Sequence, residues 1–270
     1  MTKTCVIVGG GLAGLAAAIK LGDAGWKVTL LESRRRLGGR ASSFVDASSG
    51  LEMDNCQHVL MGCCTNLIHF YKSLGVSDAI TWHDKTWWLR PKGGMDCLQS
   101  TCLPAPLHFA PSFLRMRSLT RKVRQDIQRA MWRTMRMGSS ETETWRGHSF
   151  ASLLDEWKQG DDTRSNFWTP LIVSALNLPL HEASAVFGLQ VLRDGFLASA
   201  KGARIGVPSV SLADLYKPSA ALIERSGGEV RLGSPVTGIE VEDRCAVGVR
   251  IHDELIYGDA VLSALPWEKL

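Results

Sequence analysis

The stretch Thr4-Cys-Val-Ile-Val-Gly-Gly-Gly-Leu-Ala-Gly14 decides the fold of this chain. Residues 4–8 are mostly β-branched and apolar, which is typical of a strand buried on both faces. A G-x-G-x-x-G motif follows at once, and residues 15–24 predict a helix rich in Ala and Leu that Gly25 ends. Lys27–Leu31 predicts a second strand, and Glu32 closes it. This order predicts a βαβ unit that binds a dinucleotide.

Each glycine of the motif has a physical role in such a unit. Gly9 permits the tight turn, Gly11 lets the backbone approach a pyrophosphate, and Gly14 lets the helix pack closely on the strand. The first helical residues, Leu12 and Ala13, present backbone N–H groups and the positive end of the helix dipole to that pyrophosphate. A βαβ turn without a ligand is the alternative.

The acidic residue at the end of the second strand favours one class of dinucleotide. Glu32 lies 18 residues after Gly14. At this distance a carboxylate accepts hydrogen bonds from the two hydroxyls of a ribose. An acid at this position favours an unphosphorylated adenosine ribose, so the sequence predicts FAD or NAD rather than NADP.

The next segment, Arg34-Arg-Arg-Leu-Gly-Gly-Arg40, resembles the R-x-G-G-R segment of the flavin amine oxidase and phytoene desaturase superfamily. In that superfamily the paired glycines and the final arginine close over the FAD pyrophosphate. The resemblance implies that FAD is the cofactor and that Arg36, Gly38, Gly39 and Arg40 contact it. A guanidinium fork suits phosphate oxygens. A solvated basic loop is the alternative.

Composition describes a globular protein and excludes some functions. The 270 residues are 45% hydrophobic and 21% charged, and the net charge of +4 gives no case for a nucleic-acid partner. The seven cysteines show no C-x-x-C pair and no zinc spacing, so we expect reduced thiols, no metal and a cytoplasmic location. The chain begins directly with the buried strand, and no apolar run suits a membrane span, so we expect neither a signal peptide nor an integral membrane protein.

A second resemblance is more specific. Asp54-Asn-Cys-Gln-His-Val-Leu-Met-Gly62 resembles the D-N-G-Q-H-V-L-x-G signature of the squalene-associated FAD-dependent desaturases, the hydroxysqualene dehydroxylases of hopanoid biosynthesis. The sequence departs from that signature at Cys56, where the family usually has glycine. Residues 167–184, 191–196 and 207–215 resemble the helical substrate-domain segments of the same family.

This resemblance implies a domain organisation. We expect an α/β, FAD-binding, Rossmann-like domain of the glutathione-reductase type, split between residues 1–65 and 205–270. A mostly helical substrate domain is inserted at 66–204, and the backbone around Val236 contacts the adenine side of FAD. Members of the family continue well beyond the equivalent of Leu270, so we expect a C-terminally truncated form.

The resemblance also implies an activity. It is the reductive removal of the hydroxyl of hydroxysqualene, a hydrophobic isoprenoid, with a hydride supplied by reduced flavin. Gln57 and His58 are the candidate residues for assisting the departure of water, because the superfamily places them beside the flavin; a structural role for His58 is the alternative. A carotenoid-type desaturase and a non-catalytic product that binds only the adenine half of FAD stay open.

Two further segments allow two interpretations each. Residues 112–137 carry eight basic residues and one acid, Asp126, with Met116, Leu119, Val123, Ile127 and Ala130 at helical spacing. We expect one basic amphipathic helix. It contacts an anionic membrane, at the inner face of the cytoplasmic membrane, or it packs on the domain and exposes a basic face.

The three tryptophans of the second segment, Trp82, Trp87 and Trp88, line an apolar pocket or belong to the core.

Overall fold

The computed structural model describes residues 2–55, 58–90 and 93–269 in two compact units. The sheet unit comprises Met1–Val59, Asn66–Thr81 and Val207–Leu270, and the helical unit comprises Leu60–Thr65 and Trp82–Gly206. The strands are β1 (Thr4–Val8), β2 (Lys27–Glu32), β3 (Ser43–Val45), β4 (Glu52–Asp54), β5 (Leu60–Met61), β6 (Ile80–His83), β7 (Lys85–Leu89), β8 (Met95–Gln99), β9 (Ile205–Pro208), β10 (Glu229–Leu232), β11 (Gly238–Glu242), β12 (Cys245–Ile251), β13 (Glu254–Tyr257) and β14 (Ala260–Ser263). The α-helices are α1 (Leu12–Asp23), α2 (Thr65–Leu74), α3 (Ala110–Arg115), α4 (Arg121–Arg136), α5 (Ser139–Glu143), α6 (Phe150–Glu156), α7 (Asp161–Thr163), α8 (Thr169–Leu176), α9 (Ala185–Gln190), α10 (Leu212–Tyr216) and α11 (Pro218–Arg225). Two π-helical segments, Arg164–Trp168 and Val191–Leu197, and short 3₁₀ turns at Ser77–Ala79, Leu107–Phe109 and Trp267–Lys269 complete the elements.

A four-stranded parallel sheet, in the order β10-β2-β1-β14, is the centre of the sheet unit. Val6 of β1 pairs with Thr29 of β2 on one side and with Val261 of β14 on the other. Helix α1 crosses from β1 to β2 and buries Leu15 and Ala18, and α11 packs against it. The apolar run at residues 4–8 therefore forms a central strand, as its composition predicts.

An antiparallel sheet, in the order β11-β12-β13, packs on the parallel sheet through β12 and β14. Val6, Val8 and Leu31 of the parallel sheet form one core cluster with Val249 and Ile251 of β12. Helices on one side and a small antiparallel sheet beside the parallel strands give the α/β Rossmann-like architecture that the sequence predicts.

The helical unit has its own core. Its buried residues come mainly from α4, α6, α8, α9 and the two π-helical segments, with Phe150, Trp168 and Leu192 fully buried among them. Strands β7 and β8 pair antiparallel at one side of this unit. None of the described helices combines the length and the apolar composition that crossing a bilayer requires.

The structure groups two segments differently from the expected boundaries: Leu60–Thr65, expected in the FAD-binding domain, belongs to the helical unit, and the start of the expected substrate domain belongs to the sheet unit. Residues 66–204 were expected to lie together in the substrate domain, but Asn66–Thr81 belongs to the sheet unit. The physical reason is the apolar face of α2, where Phe70, Tyr71 and Leu74 are buried and the ring of Tyr71 stacks at 6.4 Å on that of Tyr216.

The basic segment is not one helix. Residues 110–115 and 121–136 form α3 and α4, and a non-helical stretch with buried Met116 and Leu119 separates them. The expected apolar stripe is buried in the core of the helical unit itself, since Val123, Ile127 and Ala130 are at most 2% exposed. This stripe therefore faces the core rather than lipid, and contact of the basic surface with an anionic membrane stays a prediction.

Candidate dinucleotide-binding site

The glycine loop joins β1 to α1 with the geometry that the motif requires. Gly9 has a φ of +109°, which only glycine adopts readily. A Cβ on Gly14 would lie 1.9 Å from the carbonyl oxygen of Gly9, so the helix approaches the strand too closely for any other residue. By contrast, a Cβ on Gly11 would meet only the Cα of Gly39, at 3.9 Å. Gly11 therefore borders open space, which is where a pyrophosphate would lie.

The N-terminus of α1 has no side-chain cap. Gly11 is the N-cap residue and has extended backbone, with φ −75° and ψ 177°. The first N–H groups of a helix have no intrahelical acceptor, and here Leu12 and Ala13 supply two of them. The uncapped helix start therefore offers donors to an anion, as the sequence predicts.

Glu32 is held against the glycine loop. Its carboxylate is buried, with the residue 7% exposed, and Oε2 accepts a hydrogen bond from the backbone N–H of Gly10 at 2.7 Å. Oε1 accepts from the backbone N–H of Arg34 at 2.8 Å and from Ser33 Oγ at 3.2 Å. These donors orient the carboxylate, and lone pairs remain on it for ribose hydroxyls.

Gly10 has a role that the motif analysis missed. A Cβ on Gly10 would lie 2.8 Å from Cδ2 of Leu37, 2.9 Å from Cβ of Glu32 and 3.1 Å from its Oε2. Glycine is favoured at this position because Glu32 and Leu37 pack against it and would have to shift for a Cβ. The G-x-G-x-x-G pattern leaves this position free, so only the contact between the loop and the end of β2 reveals the requirement.

The second glycine pair meets the first. The N–H of Gly38 donates to the carbonyl of Gly10 at 2.9 Å, and Gly38 forms a parallel bridge with Gly11. Gly38 and Gly39 have φ of +101° and +62°. A Cβ on Gly38 would lie 2.9 Å from the ring of Tyr216, so this ring packs directly against the turn. The two glycine segments therefore form one concave backbone surface.

The arginines of this segment differ in their contacts. Arg36 is exposed and Nη1 donates to the carbonyl of Ser43 at 2.9 Å, while Arg34 Nη1 donates to the carbonyl of Gly39 at 3.3 Å. Arg40 is exposed, and its guanidinium has no hydrogen bond or ion pair with any residue that the structure describes. Arg40 thus keeps all its donors for a ligand, whereas Arg36 uses one to anchor the turn.

A polar network holds the helix whose Tyr216 ring packs against the second glycine pair, and sequence reasoning did not find it. Ser43 Oγ donates to Asp54 Oδ1 at 2.7 Å and accepts from the N–H of Ala213 at 2.9 Å. Asp54 Oδ1 also accepts from the N–H of Leu212 at 3.0 Å. These bonds tie β3 and β4 to the start of α10. Burial and the neighbouring Tyr71 hydroxyl raise the pKa of Tyr216 in that helix, so it stays neutral.

Val236 lies on the segment that passes the end of β2. In this segment Ser234 donates its N–H to the carbonyl of Glu32 at 2.9 Å, and Gly233 donates to the carbonyl of Arg34 at 2.9 Å. Val236 itself packs against the core cluster of the two sheets. The fold therefore brings residues 233–236 to the acidic residue that was predicted to bind the ribose, from the far end of the chain.

Of the two candidate catalytic residues, the structure describes His58. His58 is partly buried in the sheet unit and lies outside the helices and strands. Gln57, together with Cys56, lies outside the described residues. Their assignment to assisting the departure of water stays a prediction.

The site as a whole fits a dinucleotide. The uncapped helix start and the glycine cradle open at Gly11 suit a pyrophosphate, and so does the exposed arginine after Gly39. The buried acid at the end of β2 suits a ribose. The fold and this site define a dinucleotide-binding protein of the Rossmann-like class.

Comparison with known proteins assigns the family. Residues 12–270 match the family model of the flavin containing amine oxidoreductases, and the chain belongs to this family. FAD is accordingly the cofactor of the site. Among solved structures, an oxidoreductase from Methanosarcina mazei shares the fold, with a TM-score of 0.70 at 19% identity over 96% of this chain and 58% of that chain.

Two curated relatives are similar over nearly the whole chain. The 15-cis-phytoene desaturase of Solanum lycopersicum is 30% identical over 97% of this chain and 46% of its own length. The hydroxysqualene dehydroxylase of Rhodopseudomonas palustris is 26% identical over 98% of this chain and 62% of its own length. The chain therefore spans about half to three fifths of the length of these relatives.

Proposed function

We propose that this chain is the FAD-binding portion of an oxidoreductase that acts on a squalene-type isoprenoid. The buried carboxylate of Glu32 on the Gly10 N–H carries the cofactor-binding part of the proposal, because it presents a ribose acceptor beside the open cradle at Gly11. The similarity to a hydroxysqualene dehydroxylase and a phytoene desaturase supports the substrate class. When bound, FAD supplies hydride chemistry. The chain's own residues would hold the adenosine ribose at Glu32 and the pyrophosphate at the start of α1, at Gly39 and at Arg40.

The favoured reaction is the reductive dehydroxylation of hydroxysqualene to squalene. The substrate loses its hydroxyl as water and gains a hydride at the same carbon, so a proton must reach the departing oxygen. The motif from Asp54 to Gly62 and the similarity to a hydroxysqualene dehydroxylase support this reaction. His58, in that motif, is the candidate for delivering the proton.

Phytoene-type desaturation is the second candidate. The similarity to a 15-cis-phytoene desaturase, at 30% identity, favours it. Its redox direction is opposite, since the substrate would lose a hydride to oxidised FAD and a proton from the neighbouring carbon to form a C=C bond. Product analysis distinguishes the two: the FAD-loaded protein is incubated with hydroxysqualene under reducing conditions and with phytoene under oxidising conditions. Squalene as the product supports the first candidate, and a new double bond in phytoene supports the second. The absence of both products would contradict both candidates.

We also propose that the helical unit contacts an anionic membrane from the cytoplasmic side. Its basic residues Arg117, Arg121 and Arg133 are exposed and form no ion pair with any described residue. Leu114 and Trp132 are 53% and 57% exposed beside them.

The cysteines that the structure describes are all free, as expected of a reducing compartment. Fractionation of cells that express the chain tests the location: recovery in an oxidising compartment contradicts it.

A further inference from the structure

The helical unit contains an apolar cavity of about 270 Å³, bounded by α3, α4, and residues 106–109 and 196–197. Among the residues that line it, Gln128 brings a side-chain amide and Trp132 an indole N–H, and none is charged. The rest of the wall is mostly aromatic and thioether side chains, including Phe109, Phe113, Met131, Met135, Phe167 and Phe196. None of the three tryptophans that the sequence suggested for an apolar pocket lines it: Trp88 stacks behind Phe167 with ring centroids 5.4 Å apart.

The inner wall of this cavity belongs to the folded core. Ile127 and Phe167 are 2% and 3% exposed. The rings of Phe113 and Phe167 meet edge to face at 6.2 Å, and those of Phe109 and Phe196 lie 6.0 Å apart. Because these rings are packed from behind, the wall keeps its shape without a ligand, as preformed ligand sites do.

The cavity also has an exposed apolar border. Leu107 and Trp132 line it and are 55% and 57% exposed. Arg136 stacks on the Trp132 ring at 5.8 Å, and Arg129 and Arg133 lie within one turn of it on α4. A tryptophan among arginines is typical of a surface that meets lipid head groups.

We propose that this cavity binds a stretch of an isoprenoid chain, which enters past Trp132 from an anionic lipid surface. The inference rests on the proposed function, because it names the site that would hold part of the substrate chain. A peptide segment is the competing occupant. Each of its residues would bring an N–H and a C=O group. The polar side-chain groups of the wall are the Gln128 amide and the Trp132 indole N–H, so most of the peptide groups would stay unsatisfied. An alkene chain carries no such groups.

The test measures retention of radiolabelled squalene by the FAD-loaded full chain after gel filtration. Ala110 lines the cavity, so Ala110→Phe fills part of it. We expect bound squalene to fall at least about tenfold, which corresponds to the loss of burial of about two methylene groups. Ala151→Phe, a matched change in α6 away from the cavity, should leave retention unchanged.

A second variant keeps the test decisive if Ala110→Phe does not fold. Met135→Gln preserves the length of the side chain but places an amide in the apolar wall, and Met95→Gln, at an exposed site on β8, is its control. Retention should fall only in Met135→Gln, with flavin content and circular dichroism unchanged in both. Equal retention in the cavity variant and its control, or no retention by the unaltered chain, would overturn the proposal.

The assay also separates this inference from the proposed function, because it requires no turnover. Squalene retention that is sensitive to Ala110→Phe, without conversion of hydroxysqualene or phytoene, would support the cavity and contradict the reaction. Conversion that is unaffected by filling the cavity would support the reaction and contradict the cavity. Vesicles with and without anionic lipid, used as the source of squalene, test the route: equal loading from both would contradict entry from an anionic surface.

Discussion

Glu32 Oε2 and the backbone N–H of Gly10 form a hydrogen bond of 2.7 Å that joins the acidic end of β2 to the glycine loop. The carboxylate is therefore oriented before any ligand binds, and Arg34 fixes its other oxygen. Preorganisation of this kind reduces the entropy lost on binding. The ribose site and the pyrophosphate site are one structural unit, and the first three predictions concern it.

Glu32→Ala should weaken FAD binding at least about tenfold, because charge-assisted hydrogen bonds contribute about 1.5–3 kcal/mol. Glu32→Gln should have a smaller effect, since it keeps an acceptor but loses the charge. Glu224→Ala, at an exposed site on α11, is the control. The measurement is flavin retained after gel filtration. Equal flavin in Glu32→Ala and Glu224→Ala would show that Glu32 does not hold the ribose.

Gly10→Ala and Gly11→Ala should have different consequences. The new Cβ at Gly10 would lie within 3 Å of Leu37 and Glu32, so we expect a loss of about 1–3 kcal/mol in the free energy of unfolding and weaker FAD binding. At Gly11 the backbone suits alanine and the space is open, so the apoprotein should lose less than about 1 kcal/mol, mainly from a poorer cap. FAD binding should nevertheless be lost.

Urea unfolding of the apoproteins and flavin titration check this pair. Gly11→Ala protein that binds FAD normally would contradict the placement of the pyrophosphate. Gly10→Ala protein of unchanged stability would contradict the role given to Gly10.

Ser43→Ala tests the network behind the second glycine pair. Ser43 is 4% exposed, and its loss leaves the N–H of Ala213 without its acceptor. We expect the free energy of unfolding to fall by about 1–3 kcal/mol, as for a buried donor left unsatisfied. FAD binding should weaken because Gly38 and Gly39 lose support. Ser140→Ala, at an exposed site on α5, is the control, and matching denaturation curves for the two variants would rule out this role.

His108 should make the stability of the protein depend on pH. Its side chain is fully buried, and this burial lowers its pKa, although the backbone carbonyls of Phe196 and Ser199 oppose the shift. The unfolded chain, with a histidine pKa of about 6.5, then binds a proton that the folded chain does not. The free energy of unfolding should fall as pH decreases below about 6.5 and level off below the folded pKa.

Urea unfolding at about pH 7.5 and about pH 5.5 measures this dependence. In His108→Gln the difference between the two conditions should be smaller than in the unaltered protein. A variant with the same pH dependence would show that other groups are responsible.

Reversal of three arginines tests contact with an anionic membrane. Changing Arg117, Arg121 and Arg133 to Glu should release the protein from vesicles that contain anionic lipid, since each basic side chain near such a surface contributes about 1 kcal/mol. Binding of the unaltered protein should weaken as salt concentration rises. The control changes Lys85, Lys158 and Lys201 to Glu, which alters net charge equally elsewhere on the helical unit. Equal co-sedimentation of the two triple variants would contradict this surface.

The sequence by itself determined the parallel strands, the first helix and the nature of the ligand site. The residues that form the site belong to one continuous βαβ segment, with glycines at positions 9, 11 and 14 and an acid at 32. Their spacing along the chain therefore already specifies a turn, an open cradle and a ribose acceptor. The parallel sheet and the FAD family that these residues predicted are confirmed.

Only the tertiary structure decided which surfaces meet. The apolar spacing in residues 112–137 indicated that one helix face is buried, but spacing carries no information on what covers it, and the cover is the core of the helical unit rather than lipid. Gly10, Ser43 and the apolar cavity depend on residues distant in sequence, such as Leu37, Ala213 and Phe196, which folding brings into contact. Local patterns determine which faces are apolar, whereas the partner of each face is determined by packing of the whole chain.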